Sequence, residues 1–224
     1  MCIRDNYNRI QDGIADACAS SGRRIEDITL IAVTKFVPIE RIASALALGV
    51  RHVGENRVQE LIQKLDFFRS YSCDVHFIGQ LQTNKVKYII GQVGLVQSVD
   101  RIQLVQELER QASRLDVVQD ILVQVNIGHE PQKGGIDEGN LIDFLESMQD
   151  MPHIRVKGLM CVPPALDEEE ARPYFARMRT LFEQSKSILT MQHLSMGMSG
   201  DYKAAIREGA TMVRVGSALF GTRT

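Results

Sequence analysis

The 224-residue sequence contains no long apolar run and only four cysteines. No apolar segment approaches the roughly 18 residues of a membrane span, and Arg4 and Asp5 interrupt the start, so we expect neither a membrane helix nor a signal peptide. The cysteines form no C-x-x-C pair and are too widely spaced for a zinc clasp. We therefore expect a soluble, cytoplasmic protein with reduced thiols. The cysteines are Cys2, Cys18, Cys73 and Cys161.

Neither sign of charge is in large excess, because 26 Lys and Arg residues are balanced by 28 Asp and Glu residues. The basic residues are spread along the chain, so we expect no broad nucleic-acid-binding face, although a local anion pocket is compatible with any net charge. The contents of 44% apolar and 24% charged residues exclude disorder and collagen-like repeats. The length and the lack of a linker predict one domain over residues 1–224.

Several common catalytic and binding motifs are missing. Residues 79–85 superficially resemble a phosphate-binding P-loop, but Asn84 stands where a glycine is needed before Lys85. Residues 197–200 lack the G-x-S-x-G spacing of a nucleophile elbow, and there is no dinucleotide-binding glycine fingerprint. The five histidines have no pairwise ligand spacing, so we predict no metal site.

Short apolar segments alternate with helical patterns along the whole chain. Ile3, Tyr7, Ile10 and Ile14 recur at helical spacing and predict an extra N-terminal helix. About eight strands, each followed by a helix, predict an α/β fold with a parallel sheet, and their number favours a single TIM-type (β/α)8 barrel. An open doubly wound sheet is the alternative. The predicted strands are residues 28–33, 52–54, 75–78, 95–97, 121–127, 154–159, 193–195 and 212–215.

A lysine directly follows the first predicted strand. Since side chains alternate along a strand, Lys35 shares a face with Ile31 and Val33, whereas Thr34 takes the other face. If the Lys35 face is the barrel interior, its amine lies at the mouth of an apolar cavity, which favours the neutral form that captures carbonyls as a Schiff base. The alternative is a strand-end lysine that extends into solvent.

Hydroxyl and glycine residues follow the last two predicted strands, where barrels frequently bind phosphate. Ser199 lies in the loop after the seventh strand, and Gly216 and Ser217 open a short apolar helix after the eighth. Glycines let backbone N–H groups approach an oxyanion, and both serines can donate hydrogen bonds to one phosphate. Ordinary helix caps and turns are the alternative.

Arg214 lies between Val213 and Val215, so its side chain takes the opposite face of the eighth strand. If the valines face the helices, the guanidinium enters the barrel and needs an anion or a strong acceptor; an ion pair at the barrel rim is the alternative. Pyridoxal phosphate (PLP) would use all these features, with its aldehyde at Lys35, its phosphate on the last two loops and its ring nitrogen at Arg214. Because an arginine gives up no proton, the ring would be a weaker electron sink.

The chain resembles the pyridoxal-phosphate homeostasis family (YggS/PROSC/PLPBP), which is related to the barrel domain of alanine racemase. The resemblance covers nearly the whole chain, and its motifs are specific in their combination and order. They are residues 32–35 (AVTK), 54–60 (GENRVQE), 76–85 (HFIGQLQTNK), 158–160 (GLM), 195–199 (SMGMS) and 213–216 (VRVG).

The resemblance implies that Lys35 carries the cofactor as an aldimine and that Asn56 lies near it. It implies that Ser199, Gly216 and Ser217 hold the phosphate. The family is regarded as binding, buffering and delivering PLP inside the cell without demonstrated turnover, so no catalytic residue is expected, and PLP-dependent apoenzymes are candidate recipients. The implied cofactor-binding residues are Lys35, Asn56, Ser199, Arg214, Gly216 and Ser217.

Three positions bear on how far the resemblance extends. Val75 stands where family members usually carry an aromatic residue, and Val37 stands where many carry a second lysine. If that second lysine helps to hand the cofactor on, Val37 puts this role in doubt here. Lys133 lies where many members also have a lysine. It is either a secondary PLP site or a flexible loop charge.

Two enzyme classes are alternatives to a non-catalytic carrier. A small PLP-dependent amino-acid racemase needs bases on both faces of the ring, and besides Lys35 only Tyr202 lies near a predicted phosphate loop. The sequence ends at Thr224 without the separate β-domain of alanine racemases, which disfavours this alternative and leads us to expect a monomer. A barrel enzyme that uses Lys35 without a cofactor, as aldolases use a lysine, would lack the visible colour of bound PLP.

Overall fold

The computed structural model describes residues 2–221, in which eight parallel strands form a closed barrel. The strands are β1 (Thr29–Val33), β2 (His52–Glu55), β3 (Asp74–Phe77), β4 (Leu95–Val99), β5 (Gln119–Val125), β6 (Ile154–Cys161), β7 (His193–Ser195) and β8 (Met212–Val215). They pair in chain order, and β8 pairs in parallel with β1 to close the sheet. This closure confirms the barrel prediction and excludes the open doubly wound sheet.

Helices surround the barrel and follow the predicted alternation. Within residues 2–221, no helix is long and apolar enough to cross a membrane. The α-helices are α1 (Ile3–Ser21), α2 (Ile39–Ala47), α3 (Val58–Ser70), α4 (Ile102–Leu115), α5 (Leu141–Glu146), α6 (Glu168–Ser185), α7 (Tyr202–Arg207) and α8 (Ser217–Phe220).

One connection differs in the type of its helix. Between β3 and β4 the chain forms a 3-10 helix over Thr83–Tyr88 instead of an α-helix. Its buried Val86 and the following Ile89 are three residues apart, and the Ile89 N–H donates to the Val86 carbonyl. This spacing matches the three-residue period of a 3-10 helix, which turns one face of the short segment toward the barrel.

The extra N-terminal helix α1 is confirmed, and it packs against α2, α7 and α8. Its face carries the buried Ile10 and Ile14. Gly13 allows close approach, because a Cβ there would lie 2.1 Å from Tyr202 Oη. Asn6 Nδ2 also donates a 2.9 Å hydrogen bond to the Leu219 carbonyl. Helix α1 therefore supports the last helices of the chain, which adjoin the loops predicted to bind phosphate.

The apolar core has two parts, inside and outside the barrel wall. A large cluster fills the space between the strands and the helices. A small cluster joins side chains from five different strands, which can meet only in the barrel interior. Its members are Ile31, Leu95, Leu122, Met160 and Met212. Ile31 therefore marks the face of β1 that points inward, whereas Val213 and Val215 of β8 belong to the outer cluster.

Candidate functional site

Lys35 lies in the turn after β1, at the C-terminal end of the barrel, and its side chain is half-buried. A cavity of about 390 Å³ opens at this end. Lys35 lines this cavity together with Gly216 and Ser217, the residues that follow β8. Because β1 and β8 are neighbours in the closed sheet, the structure brings together the first and last candidate residues of the chain. The cavity also includes Val33, Phe36, Val37, Pro38, Arg41, Phe220 and Gly221.

The turn that carries Lys35 is held by the start of α3. Phe36 has a φ of +60°, a conformation that costs energy for a bulky residue. Its N–H donates a 2.8 Å hydrogen bond to Glu60 Oε2, and the Arg57 guanidinium lies 4.6 Å from the centre of the Phe36 ring. These contacts offset the strain and fix the backbone beside Lys35.

A buried ion pair supports the same turn from outside the barrel. Lys64 Nζ donates to Glu55 Oε1 at 2.7 Å and to the Thr34 carbonyl at 2.8 Å. Thr34 Oγ1 donates to the same Glu55 oxygen at 2.7 Å. Burial raises the pKa of the Glu55 carboxyl, while the hydrogen bonds from Lys64 and Thr34 lower it. The residue before Lys35 is thus anchored through both its side chain and its carbonyl.

The loops after β7 and β8 converge on Ser199. Its Oγ accepts hydrogen bonds from the backbone N–H groups of Gly216 and Ala218, both at 3.2 Å. Gly197 has a φ of +91°, and a Cβ there would lie 2.5 Å from Ala205 Cβ, so a glycine is required where this loop folds against α7. The Ser199 hydroxyl oxygen therefore joins the loop after β7 to the two N–H groups at the start of α8.

Arg214 enters the barrel interior, because Val213 and Val215 face the helices and the side chain between them takes the opposite face. It is nearly fully buried, and its Nη1 donates to Ser195 Oγ at 2.6 Å while its Nη2 donates to the Cys161 carbonyl at 2.7 Å. Both acceptors are uncharged. Burial lowers the pKa of the guanidinium, although an arginine stays protonated at any physiological pH.

Asn56 directly follows β2, and its buried Oδ1 has no hydrogen-bond partner among residues 2–221. The loop after β3 passes very close to it, because a Cβ at Gly79 would lie 2.0 Å from the Asn56 carbonyl oxygen. An unpaired buried acceptor is costly and marks a position where a ligand could supply a donor. Asn56, Ser199 and Arg214 are not among the lining residues of the 390 Å³ cavity.

Two other residues singled out in the sequence lie in separate surroundings. Lys133 Nζ donates to the Pro163 carbonyl at 2.7 Å and forms an ion pair with Glu130. Its amine therefore contacts two groups of the chain itself. Tyr202 is buried against Gly13 of α1 and does not line the Lys35 cavity. Its burial raises the pKa of the phenol.

Comparison with known proteins identifies the family. Residues 6–224 match the family described as alanine racemase, N-terminal domain. The pyridoxal phosphate homeostasis protein of Aquifex aeolicus is 42% identical over 222 residues, which cover 98% of this chain and 97% of that protein. The protein of the same name from Haemophilus influenzae is 37% identical over 229 aligned positions, covering 100% and 97%. The chain belongs to the pyridoxal phosphate homeostasis protein family.

Solved structures agree with this assignment. PipY of Synechococcus elongatus, whose structure was determined with PLP bound, is 35% identical to this chain with a TM-score of 0.82. The match covers 93% of this chain and 100% of PipY. An alanine racemase from Corynebacterium glutamicum is 17% identical with a TM-score of 0.72, covering 96% of this chain and 61% of the racemase. The homeostasis family and the racemase thus share the barrel fold.

In this member of the homeostasis family, the structure adds site residues that sequence reasoning missed. Arg41 lines the cavity, and its Nη2 donates to the Phe220 carbonyl at the end of α8. Lys64 was also missed, although its spacing of three from Leu61 and four from Phe68 places it on the apolar face of α3. A lysine on such a face predicts a buried partner. The polar interior residues Gln97 and Ser195 gave no comparable signal.

Proposed function

We propose that this protein binds PLP at the Lys35 cavity, covalently through the Lys35 amine, and that it stores and delivers the cofactor in the cell without catalytic turnover. The observation that carries this proposal is the 390 Å³ cavity, which Lys35 shares with Gly216 and Ser217. The names of the relatives and the PLP bound to PipY point the same way. All four cysteines are unpaired, which fits the reducing setting of the cytoplasm.

The residues present fit the cofactor at both of its ends. The N–H groups of Gly216 and Ala218, which donate to Ser199 Oγ in the protein alone, would become donors to a phosphate when the Ser199 hydroxyl turns toward it, and Ser217 lies on the cavity wall. The unpaired Oδ1 of Asn56 is an acceptor for a polar substituent. When bound, PLP supplies an aldehyde that condenses with an amine, releasing water, and a ring that can stabilise negative charge.

Arg214 supports storage over catalysis. It donates hydrogen bonds but does not give up a proton, so a ring nitrogen that faces it stays unprotonated. The ring is then a weak electron sink, which disfavours reactions that pass through a carbanion. A racemase would also need a second base opposite Lys35, and the Tyr202 hydroxyl is instead packed beside Gly13 of α1.

The proposal is tested by the colour of the protein and by trapping the bond to lysine. The wild type mixed with PLP should show a visible band that borohydride removes, leaving the added mass on the peptide that contains Lys35. Lys35→Ala should lose the band and keep its fold, measured by circular dichroism. Lys133→Ala is the matched control and should keep both the visible band and the fold.

Two results would contradict the proposal. A wild type that stays colourless with added PLP would exclude the assigned cofactor. A trapped mass on Lys133 instead of Lys35 would move the site away from the cavity.

A further inference from the structure

Polar side chains cross the barrel interior, which apolar residues usually fill. Arg214 Nη1 is 2.6 Å from Ser195 Oγ, and Ser195 Oγ is 2.7 Å from Gln97 Oε1. Gln97 Nε2 is 3.0 Å from His76 Nδ1, and His76 Nε2 is 3.1 Å from His52 Nδ1. Ser195 lies on β7 and Gln97 on β4, so the contact between them spans the barrel. We call this set of five residues the interior chain.

The chemistry of the groups gives every bond in the interior chain a direction. A guanidinium only donates, so Ser195 accepts from Arg214 and gives its own hydrogen to Gln97 Oε1. Gln97 Nε2 then donates to His76 Nδ1, which must carry a lone pair. His76 therefore holds its hydrogen on Nε2 and donates it to His52 Nδ1. All four bonds run the same way, from Arg214 to His52.

The two ends of the interior chain lie at opposite openings of the barrel. Arg214 is two residues before Gly216, at the end that holds Lys35. His52 begins β2 and lines a separate cavity of about 200 Å³ at the N-terminal ends of the strands. The charged and titratable groups around His52 come from several strands. They are Asp74, His76, Asp120, Lys157 and His193, with Asp74 Oδ2 at 3.7 Å from His52 Nδ1.

We propose that Ser195 and Gln97 are positioning residues that aim Arg214 at the cofactor end of the barrel, and that protonation of His52 is transmitted through the interior chain to Arg214. This inference rests on the proposed function for the position of the cofactor ring. The interior chain itself is a property of the protein without PLP.

Protonation of His52 forces the rest of the interior chain to rearrange. Protonated Nδ1 cannot accept, so His76 moves its hydrogen to Nδ1 and the Gln97 amide turns over. Ser195 then accepts from both Gln97 and Arg214, and its hydroxyl hydrogen needs a new acceptor. Burial lowers the pKa of His52, opposed by Asp74, and burial lowers the pKa of His76 to about 3, so His76 stays neutral throughout.

The first test measures histidine tautomers by ¹⁵N NMR on protein without PLP. In the wild type near neutral pH, His76 should carry its hydrogen on Nε2. In Gln97→Glu, the carboxylate accepts from both neighbours, so the hydrogen of His76 should move to Nδ1. A wild-type His76 protonated on Nδ1, or a folded Gln97→Glu with an unchanged tautomer, would overturn the proposal.

The second test measures how the Arg214 signal depends on pH, and it needs no variant that places a new carboxylate in the barrel interior. As the pH falls below about 6.5, the Arg214 side-chain ¹⁵N signal of the wild type should shift with the same midpoint as His52. His52→Asn keeps an acceptor for His76 but cannot be protonated, so this step should be lost. His193→Asn, at the same opening but outside the interior chain, should retain it.

The outcomes separate this inference from the proposed function. An Arg214 signal that does not follow His52 overturns the transmission, whatever PLP does. With PLP added, the absorbance band should show the same step in the wild type and lose it in His52→Asn. If the Arg214 signal shifts with the midpoint of His52 but the absorbance band of bound PLP does not, transmission through the interior chain is supported. The placement of Arg214 at the cofactor is then wrong.

Discussion

At the scale of single residues, two polar groups at the site have partners that the fold brings to them. Ser199 Oγ is shared by two N–H groups from the loop after β8, and Lys64 is shared by Glu55 and the Thr34 carbonyl. A hydrogen bond to a charged group contributes more than a neutral one, and an unpaired buried charge costs more still. Single substitutions at these positions therefore have effects of different size on binding and on stability.

Replacing Ser199 should weaken PLP binding without affecting stability much. Ser199→Ala removes a hydroxyl from the place where the Gly216 and Ala218 N–H groups converge. We expect a loss of about 1–2 kcal/mol, or roughly tenfold in Kd, measured by equilibrium titration of the PLP absorbance. Ser187→Ala, on the exposed surface, serves as the control. An unchanged Kd would remove Ser199 from the phosphate site.

Replacing Lys64 should destabilise the protein in a pH-dependent way. Lys64→Met leaves the Glu55 carboxyl buried with Thr34 as its remaining donor, at a cost of about 3–5 kcal/mol near neutral pH. The folded-state pKa of Glu55 is already above its ordinary value of 4.5, and it should rise further in the variant. A raised carboxyl pKa makes stability greatest below the unfolded pKa and decreases it as the pH rises through the folded pKa.

The measurement is the free energy of unfolding in urea at acidic and at neutral pH. The deficit of Lys64→Met should be smaller at acidic pH, where Glu55 is protonated. The double variant with Glu55→Gln should recover much of the loss, because no carboxylate remains to be buried. An equal deficit at both pH values would show that Lys64 acts through packing alone.

At the scale of elements, the pattern of the sequence located every strand but not every end. The segment predicted over residues 121–127 begins at Gln119 and ends at Val125. The strand predicted over residues 154–159 continues to Cys161, because its last residues pair with β5. Helix α6 begins with a capping box between Asp167 and Glu170. Local sequence patterns predict whether a segment forms a strand or a helix, whereas pairing with a neighbouring strand determines where a strand ends.

Gly79 should be required for the two loops to pack at the site. In Gly79→Ala the new methyl group would lie 2.0 Å from the Asn56 carbonyl oxygen, which is backbone and must move. We expect a destabilisation of about 1–3 kcal/mol, the usual cost of overpacking, and a weaker affinity for PLP as Asn56 is displaced. Both are measured on one sample, by thermal unfolding and by absorbance titration.

The matched control is Gly139→Ala, where an added Cβ has no heavy atom within 4 Å. This variant should behave like the wild type in both measurements. If Gly79→Ala were as stable as the control, the close approach of the two loops would not be a constraint.

At the scale of the whole molecule, barrel closure joins the beginning and the end of the chain at the cavity. β1 pairs with β8, and the cavity is lined from both sides of this junction. Helix α1 covers the same region through its contacts with α7 and α8. A ligand held across this junction binds only the closed barrel, so its binding free energy adds to the stability of the fold.

Added PLP should therefore stabilise the protein against unfolding. At a free concentration of 100 times the Kd, the free energy of unfolding should increase by about 2.7 kcal/mol, provided that the unfolded chain does not bind. Chemical unfolding followed by tyrosine fluorescence measures this effect, with Lys35→Ala as the control at the same PLP concentration. Equal stabilisation of both proteins would place the bound PLP somewhere other than Lys35.

Sequence patterns by themselves were enough for the barrel and the extra helix, and they placed Arg214 on the face opposite Val213 and Val215. Strand alternation is a local property, because neighbouring side chains on a strand always point to opposite faces. The same rule puts Val33 on the face of Ile31, whose side chain lies inside the barrel, whereas Lys35 follows in the turn beyond the end of β1. The role proposed for Asn56 came from resemblance alone, since no local pattern distinguishes a ligand-binding asparagine from a turn residue.

The tertiary structure alone decided which residues meet. Ser195 and Gln97 are 98 positions apart in sequence and 2.7 Å apart in the barrel, and Lys64 reaches a carbonyl 30 positions before it. Such contacts arise when the sheet closes and the helices pack, and no periodicity along the chain encodes them. The amino-acid pattern thus determined the elements and their faces, whereas barrel closure determined the interior chain, the support of the Lys35 turn and the shared cavity.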